Sequence, residues 1–241
     1  MNKYYYDLHI HSCLSPCGDD DNTPNNIAGM GSLCGLNIMA LTDHNSTKNC
    51  PAFFKAAKKY GIIPIAGMEL TTCEDVHIIC LFEELEAAMD FNSYIDKHRF
   101  IIENRPDIFG NQLVLDGEDN IIAVENSLLI NATDVSVEDA FKLAPKYNGI
   151  CYPAHIDRPS NGIISVLGTF PLSPAFSCVE FNDINNCTEY TEKYNLWEKK
   201  VIVSSDAHNL SSIKDKENYF EIDDEPYSSS QVRANLFKLL R

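Results

Sequence analysis

The 241-residue chain has no stretch approaching the roughly 18 consecutive apolar residues that a membrane-spanning helix needs. Met1-Asn2-Lys3 leads directly into a strand-like segment with no hydrophobic leader, so a secretory signal is not expected and a cytoplasmic location is. No C-x-x-C pair occurs, and the nine cysteines are odd in number and scattered through segments patterned as strands and helices. Reduced thiols are therefore expected rather than a disulfide framework, most of them small core residues such as Cys80 and Cys178. Basic residues are scarce: 19 Lys and Arg stand against 35 Asp and Glu, a formal charge of −16. That balance argues against a long nucleic-acid groove, where phosphate contacts need cationic side chains. It still allows a small phosphorylated substrate such as a nucleotide or sugar phosphate, because divalent cations in one pocket reverse the local potential. Repeats, low-complexity tracts and linkers are lacking too, so one domain over residues 1–241 is the simplest organisation.

What is present is a rhythm. Tyr4 to Ile10 reads as a strand, followed by a polar loop to Asn22 and a helix that starts at Thr23-Pro24 and stops at Gly35. Leu36 to Leu41 is a second apolar run ending at Thr42-Asp43-His44-Asn45; a helix over Lys48 to Tyr60 stops at Gly61. Ile62 to Ala66 is a third run, ending at Gly67-Met68-Glu69-Leu70. Repeated strand, loop and helix predict an α/β domain built from parallel βα units. Val76 to Phe82 is a further strand with His77 near its start. The segment 83–135, helical to Asn104 and then a hairpin turning at Asp116-Gly117, reads as an insertion able to cover a pocket. The rhythm resumes with a capped helix at Ser136 and strands at Ile150 to Ala154, Ser177 to Phe181 and Lys200 to Ser204, before a last helix over Ser229 to Leu240.

In sheets of βα units, active sites form where strands end. His9, His11, His44, Glu69, His155, Asp206 and His208 all occupy such ends, and His77 lies at the start of a strand; of the seven histidines only His98 falls outside the set. In Asp7-Leu8-His9-Ile10-His11 the alternation would put Asp7, His9 and His11 on one strand face. Each position has an ordinary structural explanation: a core histidine, a helix cap at Asp43-His44, a solvated turn at Asp206-Ala207-His208. Metal binding accounts for all of them at once. Imidazole and carboxylate with little thiolate suit zinc, manganese or iron. So many ligands exceed what one ion takes, and cations about 3.5 to 4 Å apart can clamp both ends of a displacement at phosphorus while one ionises water to hydroxide.

Asp7-x-His9-x-His11, Thr42-Asp43-His44-Asn45, Gly67-Met68-Glu69, His77, Pro153-Ala154-His155 and Ser205-Asp206-Ala207-His208 together resemble, in order and spacing, the motifs of the PHP (polymerase and histidinol phosphatase) family. The resemblance runs from Asp7 to His208. It implies a distorted (β/α)7 TIM-like barrel with a trinuclear site in its mouth. By that resemblance His9, His11, Glu69 and Asp206 hold one metal, Glu69 bridges to a second held by His77 and His155, and His44 and His208 hold the third. Asp7 orients a histidine from behind, as does Asp43. The loop Ser15-Pro16-Cys17-Gly18-Asp19-Asp20 departs from the family pattern, in which a further ligand follows. Cys17 is the first candidate, a thiolate that would favour zinc or iron at the third position, with Asp19 or Asp20 as alternatives and an unligated acidic loop as the ordinary explanation. Arg158 either grips a substrate phosphate or pairs with Asp157 or another surface acid. Two or three divalent ions and hydrolysis of phosphate esters follow as the expectation, on a small phosphorylated metabolite or nucleotide or by trimming short oligonucleotides from an end, with Asp206 or His208 moving the leaving-group proton. Amidohydrolase-like cleavage of C–N or C–O bonds, or a non-catalytic metal-binding module, are the alternatives, separated by which products are released.

Overall fold

The computed structural model describes residues 1–241. Ten strands are formed: β1 Asn2–Asp7, β2 Ile38–Leu41, β3 Ile63–Thr71, β4 His77–Phe82, β5 Leu113–Leu115, β6 Ile121–Val124, β7 Gly149–Pro153, β8 Cys178–Phe181, β9 Lys200–Val203 and β10 Tyr219–Ile222. The main sheet has the order β10-β1-β2-β3-β4-β7, and β8 and β9 form a separate parallel pair. Its curl brings β9 back towards β1: the His11 N–H donates to Ala207 O at 2.9 Å, and Leu8 N–H to Ser204 Oγ at 3.3 Å. Likewise, Ile156 N–H, just beyond the end of β7, donates to Glu180 O near the end of β8.

The result is an α/β fold around a curled half-barrel sheet; of the expected distorted (β/α)7 TIM-like barrel, the α/β class and the curl are present, but not every strand is parallel to its neighbours. β1, β2 and β3 are parallel, but β4 is antiparallel to both β3 and β7, and β10 is antiparallel to β1. The cause is chain length: five residues link Thr71 to His77, too few for the crossover that parallel neighbours require. Reversal has a useful effect. His77, at the start of β4, lands at the same end of the sheet as the ends of its parallel neighbours.

The helices form where the turn chemistry dictates. Thr23 Oγ1 accepts from Asn26 N–H and Pro24 opens the helix Pro24–Leu33; Gly61 at φ +71° ends Cys50–Tyr60; Ser136 caps Val137–Leu143; the final helix is Ser229–Leu240. Met39, Leu41, Ala66, Met68, Ile78 and Phe82 pack outwards against the helices, while Tyr4, Tyr6, Leu8, Ile38, Ala40, Ile63, Ile65, Ile79, Leu81 and Tyr152 fill the inside of the curl. Alternation along each strand therefore separates the two layers. Following the inward register upwards gives Glu69 after Ile63, Ile65 and Gly67 on β3, His77 above Ile79 on β4, and Glu180 after Cys178 on β8. A polar layer caps an apolar interior.

Candidate metal centre

The even-numbered residues of β1 face inward, so its ladder does not carry the two histidines as the alternation suggested. The strand stops at Asp7, whose Oδ1 accepts from His9 N–H at 3.3 Å and from Ser205 N–H at 3.1 Å. The chain leaves the sheet there and both rings turn into the mouth. Asp7 thus fixes a backbone turn instead of a ring, and burial pushes its carboxyl up to about 6 against those hydrogen bonds.

The carboxylate on the His9 ring is Glu180, which sequence reasoning missed. Its Oε1 lies 2.8 Å from His9 Nδ1. A carboxylate only accepts, so Nδ1 carries the proton and Nε2 presents a lone pair to the cavity. His11 is oriented by a relay. Ser15 Oγ donates to Asp43 Oδ1 at 2.7 Å and receives His44 N–H at 3.2 Å, so its remaining lone pair accepts from His11 Nδ1–H at 2.9 Å. Ser12 also donates to Asp43, through N–H and Oγ at 2.7 Å each, so Asp43 reaches His11 only through Ser15. His208 Nδ1–H donates to Asp206 O at 2.8 Å.

Inward-facing atoms then crowd together. His9 Nε2 and His11 Nε2 are 3.0 Å apart, each 3.3 Å from Asp206 Oδ1, with Glu69 oxygens at 3.4 and 3.2 Å. Glu69 also meets His44 Nδ1 at 3.0 Å, His77 Nδ1 at 2.7 Å and His155 Nε2 at 3.0 Å. Three groups bring their ligand atoms within 4.8 Å of one another: His9, His11, Glu69 and Asp206; His44, Glu69 and His77; His11, His44 and His208. His155 Nε2 is 3.3 Å from His77 Nδ1, beside the second group. Two imidazoles whose outer protons are committed oppose lone pair to lone pair, and Glu69 Oε2, Asp206 Oδ1 and His44 Nδ1 are buried without a hydrogen bond. Positive charge between them resolves both problems, so the donor set fits divalent cations.

The electrostatics agree. Burial pushes His11 and His44 down, but the carboxylates of Asp206 and Glu69 outweigh it for His11, and Glu69 outweighs it for His44, raising each to about 9. His9 is raised likewise, by Glu180, Glu69 and Asp206 against its burial. Burial works against ionised Glu69, yet His77, His9 and His44 hold it well below the usual carboxylate range. The cavity demands cations, and protons supply them when nothing else does. His155 and Asp206 adopt φ of +27° and +54°, a strained backbone at two of the converging side chains.

The mouth is a cavity of about 180 Å³ lined by Cys17, His44, Glu69, His77, Ile130, Arg158, Asn161, Asp206 and His208. Of the three loop candidates only Cys17 lines it; Asp20 accepts from Asn111 at 2.7 Å, and Asp19 offers its N–H to His208 O. Arg158 pairs with Asp206 Oδ2 and not with Asp157, whose oxygens accept from Asn182 N–H and Asp183 N–H. His98 lies elsewhere, 2.7 Å from Asp134. Glu180 was legible in principle as a carboxylate in the otherwise apolar run Cys178-Val179-Glu180-Phe181. No helix is long and apolar enough to cross a membrane.

The family model described as PHP domain matches residues 7–144. The uncharacterised protein MJ1587 of Methanocaldococcus jannaschii is 31% identical over 101 residues, 38% of this chain and 58% of that protein. Among solved structures, the lesion-specific endonuclease Q of Pyrococcus furiosus superposes with a TM-score of 0.67 at 17% identity, covering 99% of this chain and 56% of that one. A candidate metal-dependent phosphoesterase of Bifidobacterium adolescentis gives 0.57 at 16% identity over 85% of this chain and 88% of its own. The chain spans less than two thirds of MJ1587 and of endonuclease Q. Endonuclease Q is also known in complex with a 27-mer duplex bearing an abasic lesion at its active site, at a TM-score of 0.63, 16% identity, and 100% of this chain against 57% of that one. That complex corrects the expectation that no long nucleic-acid groove goes with this fold. Net charge sums over the whole surface, whereas substrate meets the local potential of the mouth.

Proposed function

The chain belongs to the PHP domain family, and from that premise we propose that it hydrolyses phosphoester bonds with the help of two or three divalent cations, zinc, manganese or iron, with a nucleic-acid phosphodiester as the substrate class. The observation that carries the cation requirement is the opposition of His9 Nε2 and His11 Nε2 at 3.0 Å beside two ionised carboxylates. Likeness of fold to endonuclease Q supports the substrate class.

In this reading His9, His11, Glu69 and Asp206 would hold one cation, Glu69, His77 and His155 a second, and His44 and His208 a third, for which Cys17 is the further candidate ligand. When bound, the cations lower the pKa of water and neutralise charge on the phosphoryl oxygens. The chain's own residues do the rest. Arg158, 41% exposed at the rim, exchanges Asp206 Oδ2 for a phosphoryl oxygen as substrate enters. Asp206 is engaged by Arg158 and two imidazoles, and His208 by Asp206 O and the third cation, so whichever of the two passes a proton to the leaving group must first release one of those partners. Ile130 of the insertion and Asn161 of the loop after β7 wall the cavity from two sides.

The test is elemental analysis of the purified protein combined with a panel of single- and double-stranded oligonucleotides, intact or abasic, nucleotides, p-nitrophenyl phosphate and amides. Expected are stoichiometric metal and cleavage of phosphoesters, with His155→Ala losing both one ion and turnover. Ammonia or carboxylate release without phosphoester cleavage overturns the reaction class, and a metal-replete protein that binds none overturns the whole reading.

A further inference from the structure

Glu180 is fully buried on an apolar strand, an expensive place for a carboxylate unless its hydrogen bonds are used. One oxygen makes both of them: Oε1 accepts from His9 Nδ1–H at 2.8 Å and from the backbone N–H of His155 at 3.2 Å. The two recipients belong to different parts of the centre. His9 faces His11 and Asp206, whereas His155 faces His77 and the other side of Glu69. The second recipient is also the strained one, with φ +27° at His155, a conformation that persists only where its surroundings hold it.

We propose that Glu180 is a positioning residue that ties two cation subsites together from beneath: one carboxylate oxygen sets the tautomer of His9 and pins the main chain that aims His155. The inference rests on the cation-binding reading of the mouth. Coupling would run through the floor as well as through Glu69, which touches both subsites from above. The interior-facing register of β8, which places Glu180 directly above Cys178, leaves it no route to solvent, so the link is permanent in the folded chain.

The test uses the full chain with Glu180→Gln and Glu180→Leu, and His9→Ala and His155→Ala as references for the ions each subsite holds. Mn²⁺ binding is followed by calorimetry and elemental analysis, and the His9 tautomer by ¹⁵N NMR of protein loaded with diamagnetic Zn²⁺. Glu180→Gln keeps an acceptor oxygen, so His9 stays protonated on Nδ1 while Mn²⁺ affinity falls about tenfold for want of the charge. Glu180→Leu is expected to lose the Nδ1–H tautomer together with the ions lost in both reference variants. Wild-type stoichiometry and tautomer in Glu180→Leu, or a loss matching His9→Ala alone, overturns the proposal. Should Glu180→Leu fail to fold, unchanged Mn²⁺ affinity in Glu180→Gln overturns it instead. A wild-type chain that takes up no cation would refute the cation centre itself, a result distinct from any behaviour of the Glu180 variants.

Discussion

Stripping cations from the protein with a chelator leaves protons on His11 and His44 as the balance for Glu69 and Asp206. Burial opposes those protons, but the carboxylates prevail and both imidazoles titrate at about 9, against about 6.5 in the unfolded chain. A folded-state value above the unfolded one means the folded protein binds more protons between the two. The stabilisation is complete below about pH 6.5 and is lost as pH rises through 9. At about 1.4 kcal/mol per pH unit for each imidazole, the interval is worth on the order of 3 kcal/mol per group. His77 and His208 act in the opposite sense. Burial depresses them to about 4 and about 3, so their contribution is present above pH 6.5 and declines as pH falls below it. Stability of the stripped protein should therefore peak near pH 6.5 and fall by several kcal/mol towards pH 9, whereas the loaded protein, its protons displaced, should stay level over that range. Urea unfolding at pH 6.5, 7.5, 8.5 and 9.5, with and without Mn²⁺, measures both curves. A flat curve for the stripped protein, or the same decline in the loaded one, would refute the electrostatic account of the mouth.

Ser15→Ala breaks the relay from Asp43 to His11 without touching any inward-facing atom, and Mn²⁺ affinity by calorimetry should drop roughly 10- to 100-fold. Arg158→Ala should raise KM for phosphoesters more than it lowers kcat, with metal content unchanged by elemental analysis; an unaltered KM would show that the guanidinium serves only Asp206. At Gly67 an added Cβ would sit 2.8 Å from Leu81 Cδ2 and Thr42 Cγ2 and 3.0 Å from Cys80 O. Gly67→Ala should accordingly cost about 1–3 kcal/mol in urea unfolding, the usual penalty of overpacking.

Much of the mouth was legible because its side chains sit at strand ends, and strand ends are marked by apolar runs giving way to polar residues. Ile38–Leu41 followed by Asp43-His44, and Lys200–Val203 followed by Asp206 and His208, were placed by that transition alone. Strand direction was less accessible. The five-residue link between Thr71 and His77 did carry the signal for an antiparallel β4, but hydropathy patterning says nothing of direction. β10 was missed because three of its four residues are at least partly exposed and its partner edge on β1 lies far away in sequence. The outward commitments of the imidazoles, through Ser15 and Glu180, depend on contacts between remote segments that no local pattern encodes.

The reversed strand β4 shapes more than the position of His77. Running away from the mouth, it delivers Phe82 to the floor directly opposite Gly149, where β7 sets off. Everything between departs from and returns to the same doorstep, yet it climbs far enough for Asn45 to hold Leu129 O and Asn131 O and for Ile130 to wall the cavity. Only its upper part behaves like an exchangeable tool head. Ala88, Phe91, Ile95, Val137 and Ala140 are built into the core below, whereas the stretch around Ile130 can be rewritten, changing what fits above the histidines while the shaft that carries them keeps its register.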